Sequence, residues 1–176
     1  MIKTKKNIVI IGPMTSGKST VGRSLSDNLG RNFFDSDQII VEKNGVSIDR
    51  IFEIEGEDGF RKREEAVLIG LLNKSDAVIS TGGGAVLSEK FRAHCKKFNC
   101  IVVYLYTNQK EQYRRSLLSK DRPLLGADNR KEIIHKLMND RKRYYNELAT
   151  LTIDSSTLTI KQAVKAIEKK LLNDKN

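Results

Sequence analysis

Residues 12 to 20 read GPMTSGKST, and Gly12, Gly17, Lys18 and Ser19 occupy the four fixed positions of the spacing G-x-x-x-x-G-K-[ST]. That spacing binds polyphosphate. Its glycines let the chain turn tightly enough for successive backbone N–H groups to converge on phosphate oxygens, at the positive end of the helix that follows. Lys18 then reaches the outer phosphates and the Ser19 hydroxyl ligates Mg²⁺. Thr15, Ser16 and Thr20 belong to the same wrapping turn, so their main chain joins the nucleotide-binding set.

A metal-bound phosphate also needs carboxylates nearby. The apolar run AVIS ends in Thr81, Gly82, Gly83 and Gly84 rather than in an acid, so the acid must come from FFDSDQ, which holds Asp35 and Asp37. Strand geometry carried through both would point them to one face, one toward the metal and one toward an acceptor hydroxyl. A plainer reading makes Ser36 or Asp37 the cap of a helix beginning near Gln38. Three consecutive glycines admit a second ligand against bare main chain, where it takes N–H hydrogen bonds that any Cβ would obstruct; a flexible turn is the simpler alternative. In GEDGFRKREE, Arg61 and Glu64 stand at i, i+3 and can hold each other, as an ordinary surface pair also does. NDRKRYYNELA adds Arg141 and Arg143, and an arginine fork grips a carboxylate with two parallel bonds.

These residues need a scaffold that brings distant segments to one edge. Strand-length apolar runs recur at Asn7–Ile11, Asn32–Phe34, Ala77–Ser80, Cys100–Tyr106 and Leu151–Asp154, near-continuous as in strands buried on both faces. Helical patterns separate them at Lys18–Leu29, Asp58–Leu72, Ser88–Lys97, Asn108–Ser119, Lys131–Ala149 and Ile160–Leu172. Alternating strand and helix implies an α/β fold with a parallel sheet covered on both sides, whose ligands sit at the carboxyl edge. Two excursions interrupt the pattern: short helical pieces around Asp37–Gly56, and the charged stretch Ser119 to Arg130, which suits a mobile cover over a site.

At 176 residues the chain suits one domain spanning 1–176, with no linker or repeat to divide it. No apolar run approaches the roughly 18 residues of a membrane helix, and the opening stretch is too short for a signal-peptide core. Cys95 and Cys100, with His94 beside them, lack a fourth ligand and match no zinc spacing, so they read as reduced thiols of a cytoplasmic protein. The net charge is +10, and eleven Lys/Arg face five Asp/Glu between Gln109 and Tyr145. Nucleic acid is nonetheless a poor match. Aromatics are only 6% and Trp is absent, which leaves few stacking platforms, whereas small anionic ligands use such a patch equally well.

The stretches GPMTSGKST, FFDSDQII, IFEIEGEDGFRKREE, VISTGGGAV, RPLL and RKRYYNELA, in this order and at these separations, resemble shikimate kinase from about Asn7 to Ala149. The resemblance implies a three-layer P-loop NTPase fold like that of nucleoside monophosphate kinases, with five parallel strands and a mobile lid at about 119–130. It implies ATP- and Mg²⁺-dependent phosphorylation of the 3-hydroxyl of shikimate by a monomer that needs neither nucleic acid nor membrane. Asp37 then resembles the residue that holds the acceptor hydroxyl and takes its proton, and Asp35 the acid near Mg²⁺ beside Ser19. Arg61 and Arg141 resemble the clamp on the shikimate carboxylate, with Glu64 holding Arg61 and Gly82 to Gly84 walling the ring pocket. Arg122 resembles the lid arginine on the phosphates and Arg115 the one stacked on adenine. Thr15 departs from a glycine common in the family, and Arg143 and Tyr144 depart from its usual Pro-Leu.

Two rivals remain on the residues alone. One is a related small-molecule kinase acting on gluconate or a nucleoside monophosphate. The other is a GTP-dependent switch or RNA-associated NTPase, suggested by charge and by NKSD, Asn73 to Asp76. That motif precedes a strand, which puts it at the opposite end of the sheet from the phosphate loop.

Overall fold

A computed structural model of the chain describes residues 5–118 and 129–173. Strands β1 (Ile8–Ile11), β2 (Asn32–Asp35), β3 (Ala77–Ser80), β4 (Ile101–Tyr106) and β5 (Leu151–Asp154) pair in parallel throughout, in the order β2-β3-β1-β4-β5. Parallel neighbours need crossovers, supplied by α1 (Lys18–Leu29), α2 (Ser36–Asn44), α3 (Ile48–Leu72), α4 (Glu89–Lys97), α5 (Gln109–Ser116), α6 (Arg130–Leu148) and α7 (Ile160–Asn173). The register pairs Asp35 with Ser80 and Ile10 with Ser80, so β2, β3 and β1 end at one level.

Side chains of successive strand residues point to opposite faces, which sorts the core into two layers. Val9, Ile11, Ile79, Val102 and Tyr104 pack with Leu68 of α3, Phe91 of α4 and Tyr145 of α6. Ile8, Ile10, Val78, Val103 and Leu105 pack with Val21 and Leu25 of α1 and with Val164 and Ile167 of α7. The central strands are buried on both faces, as their apolar runs imply. The two edge strands differ: β5 alternates buried and exposed residues and β2 is only half-buried, because each has a neighbour on one side alone.

Around 37–56 the structure is more regular than the sequence suggests. The first helix of that excursion begins at Ser36 and stops where Gly45 takes φ 66°. The second begins at Ile48, well before Asp58, and continues to Leu72 through one left-handed step at Gly56, φ 69° and ψ −173°. Glycine alone makes that step cheaply, so the helix kinks instead of ending. A 3₁₀ turn, Ala85–Leu87, leads from the glycines into α4. The departure at Arg143 and Tyr144 is absorbed inside uninterrupted helix α6, where the guanidinium groups of Arg92 and Arg143 each lie 4.4 Å from the centroid of the Tyr144 ring.

The remaining motifs are structural. Asn73 caps back onto the Ile69 carbonyl and Asp76 pairs with Arg31 at 3.1 Å, at the amino end of β3 and away from the phosphate loop. Cys95 and Cys100 are buried free thiols, and His94 Nδ1 bonds the Lys90 carbonyl. No helix among the described residues is long and apolar enough to cross a membrane.

Leu68, fully buried, seats the helix that carries Arg61 and Glu64 against the sheet. Leu68→Ala is expected to lower unfolding free energy by about 2–5 kcal/mol, read from urea denaturation.

Candidate active site

The phosphate loop joins β1 to α1 with a backbone that specific residues make possible. Gly12 adopts φ 152°, and a Cβ there would stand 2.5 Å from the Leu105 carbonyl oxygen. Gly17 enters the helix in the left-handed region, φ 90°. Helices α2, α3, α4 and α5 have first turns capped by Asp35, Ser47, Ser88 and Asn108, whereas α1 opens with no side chain on its N–H groups. Those donors and the helix dipole suit an anion. Thr15 also lies in the left-handed region, φ 63°, costly for a β-branched residue. Its hydroxyl donates to the carbonyls of Met14 (2.6 Å) and Gln112 (3.2 Å), which holds the strained turn against α5.

Lys18 is nearly buried, with Nζ donating to the Pro13 carbonyl at 2.8 Å. The Ser19 hydroxyl lies 3.4 Å from that of Ser80. Arg115 reaches in from α5: Nε bonds Glu111 at 2.7 Å, Nη2 the Ser155 carbonyl at 2.8 Å, and Nη1 the carbonyls of Thr15 and Ser16. Its paired arginines, Arg114 first, hold the Glu111 carboxyl down at about 2. Lys18, Ser19 and Arg115, with Thr20, Thr81 and Asp37, line a hollow of about 380 Å³.

At the end of β2 the expected geometry is replaced. The strand stops at Asp35, whose Oδ1 caps α2 by accepting the N–H groups of Asp37 (3.0 Å) and Gln38 (3.3 Å). Asp35 is therefore the cap, rather than Ser36 or Asp37, and Asp37 belongs to the first helical turn. Buried Ser36 accepts the Gly82 N–H at 3.1 Å and lies 3.5 Å from Asp37 Oδ1. Asp37 is so fastened to the start of the glycine segment.

Each of the three glycines leaves room for a different neighbour. A Cβ at Gly82 would lie 2.2 Å from Glu64 Oε1 and 3.0 Å from Asp37 Oδ1; one at Gly84 would lie 2.3 Å from the Arg61 guanidinium; one at Gly83 would press on the Met14 nitrogen at 3.3 Å. The protein's own charged groups thus fill most of the space that bare main chain opens, and the Gly82 N–H is already taken by Ser36. That corrects the expectation that all three lie bare to a ligand.

Glu64 is 2% exposed and accepts from Arg61 Nη1 at 2.6 Å. Burial pushes its carboxyl above the ordinary range, against the pull of Arg61, with the Asp37 charge pushing the same way. Its Oε1 has no hydrogen-bond partner, and neither has Nε of Arg141, itself 4% exposed. Four residues beyond Arg141 on α6, the Tyr145 hydroxyl donates to the Gly83 carbonyl at 2.5 Å and its ring stacks on Tyr104, centroids 4.9 Å apart. Arg61, Glu64, Arg141, Asp37 and the glycines line a second hollow of about 430 Å³, floored by Phe52 and Phe60 with ring centroids 4.8 Å apart.

The two hollows share Met14, Asp37 and Gly83 as a common wall. A family model described as shikimate kinase matches residues 14–172. The chain belongs to the shikimate kinase family. A shikimate kinase of Actinobacillus succinogenes is 45% identical over 158 residues, covering 89% of this chain and 90% of that protein. One from Vibrio cholerae is 41% identical over 172 residues, covering 96% and 98%. The solved shikimate kinase of Acinetobacter baumannii, in complex with shikimate, superposes with a TM-score of 0.94 at 41% identity, covering 99% of this chain and 97% of that one. The fold is accordingly that of a P-loop kinase.

Within this shikimate kinase fold, residues named from the sequence for the nucleotide and for the acceptor line adjoining hollows, whereas Asp35, its Oδ1 held by the N–H groups of Asp37 and Gln38, lines neither. Arg122 and residues 119–128 of the expected lid lie outside the described residues. The sequence reading missed Ser36, Phe52, Phe60 and the hydroxyl of Tyr145. Ser36 had a signal in its place between two acids, whereas the aromatic floor looked like ordinary core.

The raised Glu64 carboxyl has a linkage consequence. A group that holds its proton more tightly when folded stabilises fully below its ordinary value, near 4.5, and loses that stabilisation as pH rises through the folded value. The stability difference between Glu64→Gln and the unsubstituted protein is therefore expected to move in favour of Gln from pH 4 to pH 8, read as urea midpoints.

Proposed function

We propose that this protein transfers the γ-phosphoryl group of ATP to the 3-hydroxyl of shikimate, giving 3-phosphoshikimate and ADP on the route to chorismate and the aromatic amino acids. The single observation that carries this reading is the wall shared by the two hollows: Asp37 faces both a phosphate-binding loop and an arginine-lined pocket. Arg61 and Arg141 seat the acceptor's carboxylate, and a neutral polyol would offer no charge to the buried, unpartnered Nε of Arg141. The aromatic floor covers the apolar face of the ring.

Phosphoryl transfer has a loose transition state, so alignment and charge stabilisation do most of the work. Holding acceptor and donor in line supplies about 7–11 kcal/mol of the barrier. In this reading the Asp37 carboxylate accepts a hydrogen bond from the acceptor hydroxyl and takes its proton as the new P–O bond forms. Lys18 leaves the Pro13 carbonyl for the phosphoryl oxygens, and the N–H groups of the loop stabilise the departing diphosphate. Arg115 borders the nucleotide side. The donor set fits Mg²⁺, which keeps most of its water and needs few protein oxygens beside those of phosphate. The Ser19 hydroxyl would hold it, with Asp35 near its water shell, and the ion would neutralise charge between the phosphates.

ADP release with ATP, Mg²⁺ and shikimate tests the activity, and gluconate as acceptor is expected to give none. Arg61→Lys keeps charge and loses the fork, so the KM for shikimate should rise about tenfold or more with the KM for ATP nearly unchanged. Asp37→Asn should lower kcat by about 10²–10⁴ with little change in either KM. Full turnover in that variant would leave Asp37 as a structural acid only.

A further inference from the structure

Beside the phosphate loop runs a closed circuit of hydrogen bonds that the transfer step itself does not use. The Thr15 hydroxyl bonds the Gln112 carbonyl at 3.2 Å, with the Met14 carbonyl at 2.6 Å as a second acceptor, and Gln112 Nε2 donates in turn to the Thr107 carbonyl at 2.7 Å. Thr107 and Ser155 meet hydroxyl to hydroxyl at 2.9 Å, and Ser155 Oγ returns to the Ser16 carbonyl at 3.3 Å. The circuit thus begins and ends in neighbouring loop residues, after passing through α5 and the chain just beyond β4 and β5. Arg115 spans it, with Nη1 on the carbonyls of Thr15 and Ser16 and Nη2 on that of Ser155.

Ser16, Thr107, Gln112 and Ser155 are all buried, so an opened link would leave polar groups unpaired where water does not replace the bond. Thr15 differs from them. It is half-buried, lines the nucleotide-side hollow and holds φ 63°, a backbone that glycine adopts freely. Glycine there would relieve the strain but give the loop more freedom and open the circuit. A β-branched residue kept at such a conformation is an outlier with a use.

We infer that Thr15 is a positioning residue for the nucleotide: its hydroxyl closes the circuit that keeps the phosphate loop and Arg115 in one arrangement. A loop fixed by internal bonds has less freedom to lose when phosphate engages its N–H groups, which strengthens binding. This rests on the reading of the loop as the seat of ATP. Thr15, Gln112, Thr107 and Ser155 then act through main chain and Arg115, so their effect falls on nucleotide affinity and not on the acceptor.

Calorimetric binding of ADP with Mg²⁺ to the full chain, alongside steady-state kinetics with ATP and shikimate, tests this. Thr15→Gly keeps the backbone conformation and removes the hydroxyl. The Kd for ADP and the KM for ATP should rise about two- to tenfold, the scale of one hydrogen bond, with the KM for shikimate moved less than twofold. Thr15→Ser returns the hydroxyl and should restore most of the lost affinity. Ser155→Ala opens the circuit at its far side and should itself weaken ADP, and Thr15→Gly added to it should cost less than in the parent. An unmoved Kd in Thr15→Gly overturns the inference. So does an equal loss in Thr15→Ser, which would make the methyl group the agent, or full additivity with Ser155→Ala, which would mean that the circuit is no unit. An equal rise in the shikimate KM also overturns it, since general loosening would then suffice. An unsubstituted protein that binds neither ADP nor ATP rejects the reading of the loop and this inference together, whereas normal binding with an unmoved Kd in Thr15→Gly rejects this inference alone.

Discussion

A buried carboxylate holding a half-buried guanidinium against bare main chain organises the arginine-lined hollow of this molecule. Glu64 and Arg61 meet at 2.6 Å in a place where burial works against the charged carboxyl, and the rest of the pocket is arranged around that tension. Removing Arg61 would leave the buried Glu64 carboxyl without its hydrogen-bond partner in a poor dielectric. The glycines at 82 and 84 are therefore requirements of the pair, since a methyl group at either would occupy the position of a carboxylate oxygen or a guanidinium nitrogen.

The pair is useful because of what the sheet places opposite it. β1, β2 and β3 end at one level, so the phosphate loop, the turn after β2 and the glycine segment arrive together. Ser36 ties the second of these to the third, and Tyr145 ties the glycines to the helix that brings Arg141. Helix α3 supplies Arg61 and Glu64 from one turn of the same face, held down by Leu68 and its neighbours. The two hollows thus share a wall made by Met14, Asp37 and Gly83. In-line transfer needs two ligands pressed end to end with water kept out of the gap, and such a wall provides the first half of that condition.

The phosphate loop carries backbone strain of its own. Thr15 keeps a left-handed backbone where glycine would do so freely, and its hydroxyl converts the cost into a tie between the phosphate loop and α5. Arg115 makes a second tie from the same helix, through the carbonyls of Thr15 and Ser16. The loop is thereby fixed from the side on which the nucleotide would lie, consistent with a site that positions more than it reacts.

Local chemistry wrote much of this into the chain. The spacing of Gly12, Gly17, Lys18 and Ser19 implies a phosphate loop because only that order turns the backbone and then presents a cation and a hydroxyl. Apolar runs of strand length between helical patterns imply a parallel sheet, and Arg61 and Glu64 can meet through helical spacing alone. What the chain could not disclose depended on segments far apart in sequence. That Asp35 rather than Asp37 caps α2 follows from where β2 stops pairing with β3, a matter of register. That the glycines are filled by Glu64 and Arg61 follows from where α3 lies against the glycine segment. Patterns of spacing record which residues are neighbours along one element; only the packed sheet decides which elements end side by side, because long-range contacts carry no local signature.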